Sequence, residues 1–203
     1  MFVSAGEQGK LQQIQTSVTK ARKVFRLLKP LQQLTPVLVN EPYKLGWPWY
    51  FVNRLKAVLM AVYFGFDHVV WASQAGIYSD KEGLDKAKKI SLYSWFGGSL
   101  CTIVEDLAVI SDAIQKVEGL ERGSEERKKA IEIAVRTIQT RRLTLLHATL
   151  QSLLALGLME KSVFKGRKRL VGCLGLAASA LNCYMLFPPH PSSAVNDSSN
   201  KRS

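Results

Sequence analysis

The stretch AVLMAVYFGFDHVVWASQAGIYS, residues 57–79, decides the fold. It carries one charge, Asp67, and one histidine, His68. Wound as a helix at about 1.5 Å per residue, it reaches about 34 Å, enough to cross a hydrocarbon core of about 30 Å. A charge at the centre of a bilayer costs about 2.5–3.5 kcal/mol on insertion scales, so Asp67 and His68 need partners or a polar path.

Moving downstream, Asp80 to Lys89 reads as a charged hairpin, and Ile90 to Val104 is again uncharged. Ser99, Thr102, Glu105 and Asp106 then fall on one stripe at helical spacing. This second segment, 90–112, either spans with the stripe packed inward or lies at the membrane surface. If the two segments pair antiparallel, Glu105 or Asp106 is expected within one or two turns of Asp67 and His68. Such a polar group either fixes hairpin packing or lines a solute path. Residues 116–142 read as a charged soluble helix, with Ser124 as N-cap and Glu125 and Glu126 in the first turn. Two more uncharged runs follow, 143–159 and 170–187, separated by a basic cluster containing Lys161, Lys165, Arg167, Lys168 and Arg169. Gly175 and Ala177 to Ala180 would permit close helix packing in the last run. The Ser-rich tail, 188–203, is expected to be disordered.

Moving upstream, Trp47-Pro48-Trp49-Tyr50-Phe51 resembles the aromatic belt of a membrane interface. Prolines at 30, 36, 42 and 48 suggest an extended connector. Before it, Leu11, Ile14, Val18, Ala21, Phe25 and Leu28 recur at spacings of three and four, giving one apolar seam on a helix over about 10–29. Lys20, Arg22, Lys23, Arg26 and Lys29 belong to a polar face with no acid between Glu7 and Glu41. The alternatives are a short coiled coil or packing on a soluble core; a coiled coil usually mixes charges, whereas this one-sided face suits anionic headgroups, with the seam sunk about 5–10 Å toward the acyl chains, and self-association is compatible with insertion. Pro30 is expected to stop the helix.

The net charge of +12 favours an anionic partner, nucleic acid or an acidic membrane. The cations flank apolar runs and no nucleic-acid-binding motif accompanies them, so a membrane is expected. Cys101, Cys173 and Cys183 all lie in apolar runs and form no CxxC pair. There is no P-loop, HExxH motif or nucleophile elbow, and His68, His147 and His190 lack metal-ligand spacing. No catalytic residue, metal or cofactor is expected.

These residues resemble a known family. Arg22-Lys23-Val24-Phe25-Arg26-Leu27-Leu28-Lys29 is similar to the basic N-terminal helix of the peroxin-eleven proteins. Tyr63 to Trp71, running on to Gln74-Ala75-Gly76-Ile77-Tyr78, is similar to the first hydrophobic segment of the plant branch. Leu92 to Phe96 and Val104 to Leu107 resemble the segment after it. The resemblance implies a peroxisomal membrane protein with cytosolic termini that elongates and divides peroxisomes. It implies homo- or hetero-oligomers, and recruitment of a tail-anchored fission adaptor and a dynamin-related GTPase. The chain ends Lys201-Arg202-Ser203, without the di-lysine signal of some plant members.

The expected fold is all-α: an integral membrane protein with an N-terminal amphipathic helix and two to four membrane-embedded helices. Its segments are 1–53 (helix and connector), 54–115 (a hairpin of 57–79 and 90–112), 116–142, 143–187 and 188–203. The expected function is membrane remodelling without catalysis; the alternative is a channel for small solutes through the hairpin.

Overall fold

A computed structural model describes residues 10, 13–14, 17–18, 21, 28–39, 46–121, 123–159 and 166–187. The described part is all-α, and its helices are α1 (Lys29–Leu38), α2 (Trp47–Gln74), α3 (Lys81–Glu118), α4 (Glu125–Leu158) and α5 (Lys168–Leu186). The tail expected to be disordered, 188–203, lies outside the described residues.

The prolines at 30, 36 and 48 lie in helices. Pro30 opens α1 and Pro36 sits inside it, so residues 29–38 are helical where an extended connector was expected; the end of the preceding helix lies outside the described residues. The first turn leaves its N–H groups unpaired in any helix, so a proline there loses nothing and its fixed φ is already helical. Pro48 opens α2 in the same way, so the aromatic belt forms the first turns of the helix. There Trp47 stays exposed with its ring 6.1 Å from that of Phe51.

The loop between α2 and α3 is shorter than the charge pattern suggests. Alpha-helical bonding ends at Gln74, and Gly76 takes φ +81°. The Ile77 N–H reaches the Ala72 carbonyl at 2.9 Å and the Gly76 N–H reaches Ser73 at 3.1 Å, the paired bonds of a Schellman cap. The Asp80 carboxylate then accepts from the N–H groups of Glu82 and Gly83, both at 3.0 Å, and starts α3. The charged residues 81–89 are therefore the first turns of α3, not a hairpin.

The boundary expected at residue 142 does not exist. Ser124 does cap α4, its Oγ accepting from the Arg127 N–H at 3.2 Å. From there α4 runs unbroken from the charged stretch through the apolar one to Leu158. Backbone hydrogen bonding does not register whether a side chain is charged, and no proline or glycine interrupts residues 125–156. The break falls earlier, where Gly119 caps α3 and Gly123 takes φ +96°.

Each helix packs only on its neighbours in the chain, so the described elements form an antiparallel row rather than a closed bundle. The contacts are made by small residues. The buried apolar set is Val70 and eight alanines, joined by Ser91, Ser94, Ser99 and Ser152. Leu100, Val104, Leu146, Leu153, Leu158, Leu170 and Leu176 are exposed. A water-soluble core would have the reverse order, whereas small residues at contacts and large aliphatics outside is how helices pack in lipid.

The registers align the apolar runs. Ser91 Oγ donates to the Tyr63 carbonyl at 3.3 Å, and Trp95 stacks on Tyr63 at 5.5 Å. Trp95 also faces Gln151 across the α3/α4 contact, and Gly157 faces Val171 across α4/α5. Residues 90–104, 143–158 and 170–186 thus lie side by side with the middle of α2, around 56–66. They form an apolar band about 25 Å deep. The remaining turns of α3 and α4, around 107–118 and 125–140, project beyond it as a charged stalk.

Candidate membrane interface and polar cleft

One edge of the band is closed by charge. Glu105 is 7 % exposed and forms an ion pair with Lys56 of α2; Asn53 Nδ2 donates to its Oε1 at 3.3 Å. Asp106, next along α3, is 1 % exposed and takes Arg141 Nη1 of α4 at 2.9 Å on Oδ1. Arg54 lies 4.6 Å over the Tyr50 ring at the same level. Adjacent acids on the middle helix therefore bind cations on opposite neighbours. Buried charges need such partners, because an unpaired one carries its full desolvation cost. The polar stripe of α3 does pack inward: Ser99, Glu105 and Asp106 are buried, and Thr102 bonds back to the Gly98 carbonyl at 3.0 Å.

Glu105 and Asp106 do not lie within the expected one or two turns of Asp67 and His68. Glu105 sits opposite Lys56, eleven residues before Asp67 on α2, or about 16 Å along the axis. Asp67 lies one turn beyond Tyr63, level with the charged start of α3, and both it and His68 are half-buried. The sequence expectation failed because it presumed a register that lined up the polar residues. The small residues Gly97 and Gly98 set it instead, by seating Leu59 and Met60.

Inside the band a cleft of about 440 Å³ opens between α2 and the α4/α5 pair, with Trp95 on its wall. Its polar lining is a chain. Trp95 Nε1 donates to Gln151 Oε1 at 3.3 Å, and the Gln151 amide N–H then faces His147 Nε2 at 3.1 Å. That leaves the ring proton of a neutral His147 on Nδ1. Ser179 and Asn182 of α5 complete the polar side. The sequence reading missed this cleft. Its signal was His147 and Gln151, four apart within an uncharged run and so on one helical face.

Of the expected lipid-facing seam, Ile14, Val18 and Ala21 are helical and exposed, as is Leu28 just before α1. Leu11, Phe25, Lys20, Arg22, Lys23 and Arg26 lie outside the described residues. Lys29, expected at the headgroups, lines the cleft beside Met60, Tyr63 and Phe64.

Two helices, Trp47–Gln74 and Lys168–Leu186, are long and apolar enough to cross a membrane by length and composition. A family model described as Peroxisomal biogenesis factor 11 matches residues 3–187. Peroxisomal membrane protein 11C of Arabidopsis thaliana is 33% identical over 199 residues, covering 96% of this chain and 84% of that protein. Peroxisomal membrane protein 11-5 of Oryza sativa subsp. japonica is 30% identical over 192 residues, covering 92% and 82%. A more distant relative, peroxisomal membrane protein 11 homolog of Dictyostelium discoideum, is 30% identical over 113 residues. No solved structure matches.

Proposed function

The chain belongs to the Peroxisomal biogenesis factor 11 family, and on that premise we propose that it is a peroxisomal membrane protein acting in peroxisome biogenesis and proliferation. The observation that carries the membrane reading is the inverted burial: alanines and serines inside, leucines outside, over one aligned band. In this reading the protein crosses the bilayer more than once, with stalk and termini in the cytosol.

The mechanism proposed is a wedge. The helix over about 10–29 lays Leu11, Ile14, Val18, Ala21, Phe25 and Leu28 into the cytosolic leaflet, while its cations hold anionic headgroups. Inserting area into one leaflet favours curvature, and the embedded row anchors the wedge. Exposed Ile14, Val18 and Leu28 support an unpartnered apolar seam. Homo- or hetero-oligomers would concentrate the wedges, and a tail-anchored adaptor with a dynamin-related GTPase would complete division.

The test is full-length protein reconstituted into anionic vesicles, with tubulation scored by electron microscopy. The double variant Phe25→Glu/Leu28→Glu should abolish tubules while still incorporating; unchanged tubulation would remove the wedge. The cleft favours one second reading, a solute path within the band. Solute leakage from the same vesicles separates the two: a path would be changed by Gln151→Leu, with tubulation untouched.

A further inference from the structure

We propose that the end of the band opposite the stalk is a second lipid site, which binds the phosphodiester headgroups of anionic phospholipids. It rests on the membrane-embedded reading above and is independent of the N-terminal wedge.

The charges at this end do not cancel. Of its described cations, Lys86 pairs with Glu82 at 2.7 Å and Lys88 with Asp85 at 3.4 Å. The Asp80 carboxylate is engaged by the Glu82 and Gly83 N–H groups and by the Tyr78 hydroxyl. Lys81, Lys89, Arg167, Lys168 and Arg169 are exposed and have no ion pair among the described residues. They sit in one zone, because the starts of α3 and α5 flank the C-terminal end of α4 and Gly157 packs directly on Val171.

Apolar surface adjoins these cations. A depression of about 510 Å³ is lined by Gly166, Arg167, Lys168, Arg169 and Leu170. Another, of about 520 Å³, places Lys88 and Lys89, with the paired Asp85, beside Leu92, Tyr93, Leu158 and Met159. Tyr93, Leu158 and Leu170 are themselves substantially exposed. A soluble polyanion offers nothing to that apolar rim. A phospholipid offers both halves, a phosphate at the level of the cations and acyl chains beside the leucines. Cations just beyond a hydrocarbon core gain about a five-fold binding preference each for an anionic surface.

Full-length protein in nanodiscs of phosphatidylcholine with and without phosphatidylinositol provides the test. Native mass spectrometry reads retained lipid. The wild type should retain phosphatidylinositol preferentially, and Arg167→Gln/Lys168→Gln/Arg169→Gln should lower that preference at least about five-fold. The stalk variant Lys116→Gln/Lys128→Gln/Lys129→Gln should leave it unchanged, and added inorganic phosphate should not displace the lipid. Circular dichroism checks that the helices persist; if the triple variant loses them, Lys89→Gln/Arg169→Gln must show the loss instead. Undiminished preference in the folded variants, or displacement by inorganic phosphate, overturns the site alone. A chain that does not enter nanodiscs at all overturns the membrane reading with it.

Discussion

Asp106 is the largest fully buried side chain among the described residues, in a row whose buried contacts are otherwise mostly alanine and serine. Its Oδ1 has Arg141 at 2.9 Å, while its Oδ2 has no hydrogen-bond partner among the described groups. A carboxylate so placed depends heavily on one guanidinium. Truncation by Arg141→Ala would strand it at a cost of about 2 kcal/mol, below the usual 3–5 for a buried pair because the Arg141 side chain is 37 % exposed and partly screened. Removing both charges should be nearly neutral, since a desolvated pair contributes little net stability over apolar residues of similar size. The check is thermal unfolding in detergent of Arg141→Leu, Asp106→Leu and the double variant. The single variants should fall well below the double; strictly additive losses would mean that the two groups do not interact.

Among the elements, α4 and α5 meet through Gly157, whose added Cβ would lie 2.8 Å from Val171 Cγ2. Val171 is β-branched, with little freedom to turn away. Gly157→Ala should therefore push the helices apart and destabilise by about 1–3 kcal/mol, despite the gain in helix propensity of up to about 1 kcal/mol. Val171→Ala in the same chain should restore most of the loss, measured by the same unfolding assay. If Gly157→Ala alone stabilises, the close approach is absent. Contacts of this kind also mark what the sequence could and could not disclose. The apolar cores of α2 and α5, the Ser124 cap and the inward stripe at Ser99, Glu105 and Asp106 were legible, because each is set by local composition or helical spacing. The partners Lys56 and Arg141 were not, lying 49 and 35 residues from the acids they bind. Their pairing follows from a register that glycines and alanines determine by close approach. The connector expected from the prolines misled for a related reason: the same ring that breaks a helix interior fits its first turn, as at Pro30 and Pro48, and only the neighbouring dihedrals decide.

For the whole molecule, the aligned band makes a claim that hydropathy alone does not. Among the described residues only α2 and α5 pass as spans by composition, because α3 and α4 each join an apolar run to charged turns. Yet the contacts Trp95–Gln151 and Gly157–Val171 hold the apolar halves of α3 and α4 at the depth of α5. An apolar length of about 25 Å is short for a hydrocarbon core of about 30 Å, a mismatch that bilayers meet by thinning locally and by letting flanking lysines and arginines reach outward. All four long helices should therefore be embedded, and the stalk should emerge on the same side as the start of α2. Single cysteines placed in a chain lacking Cys101, Cys173 and Cys183 would measure this in sealed vesicles with a membrane-impermeant maleimide. Leu100→Cys and Leu153→Cys should resist labelling until detergent is added. Gly46→Cys and Lys129→Cys should label together from one side, and Lys81→Cys only from the other. Labelling of Leu100→Cys and Leu153→Cys in intact vesicles would show that α3 and α4 lie in water, leaving two isolated spans in place of a four-helix row.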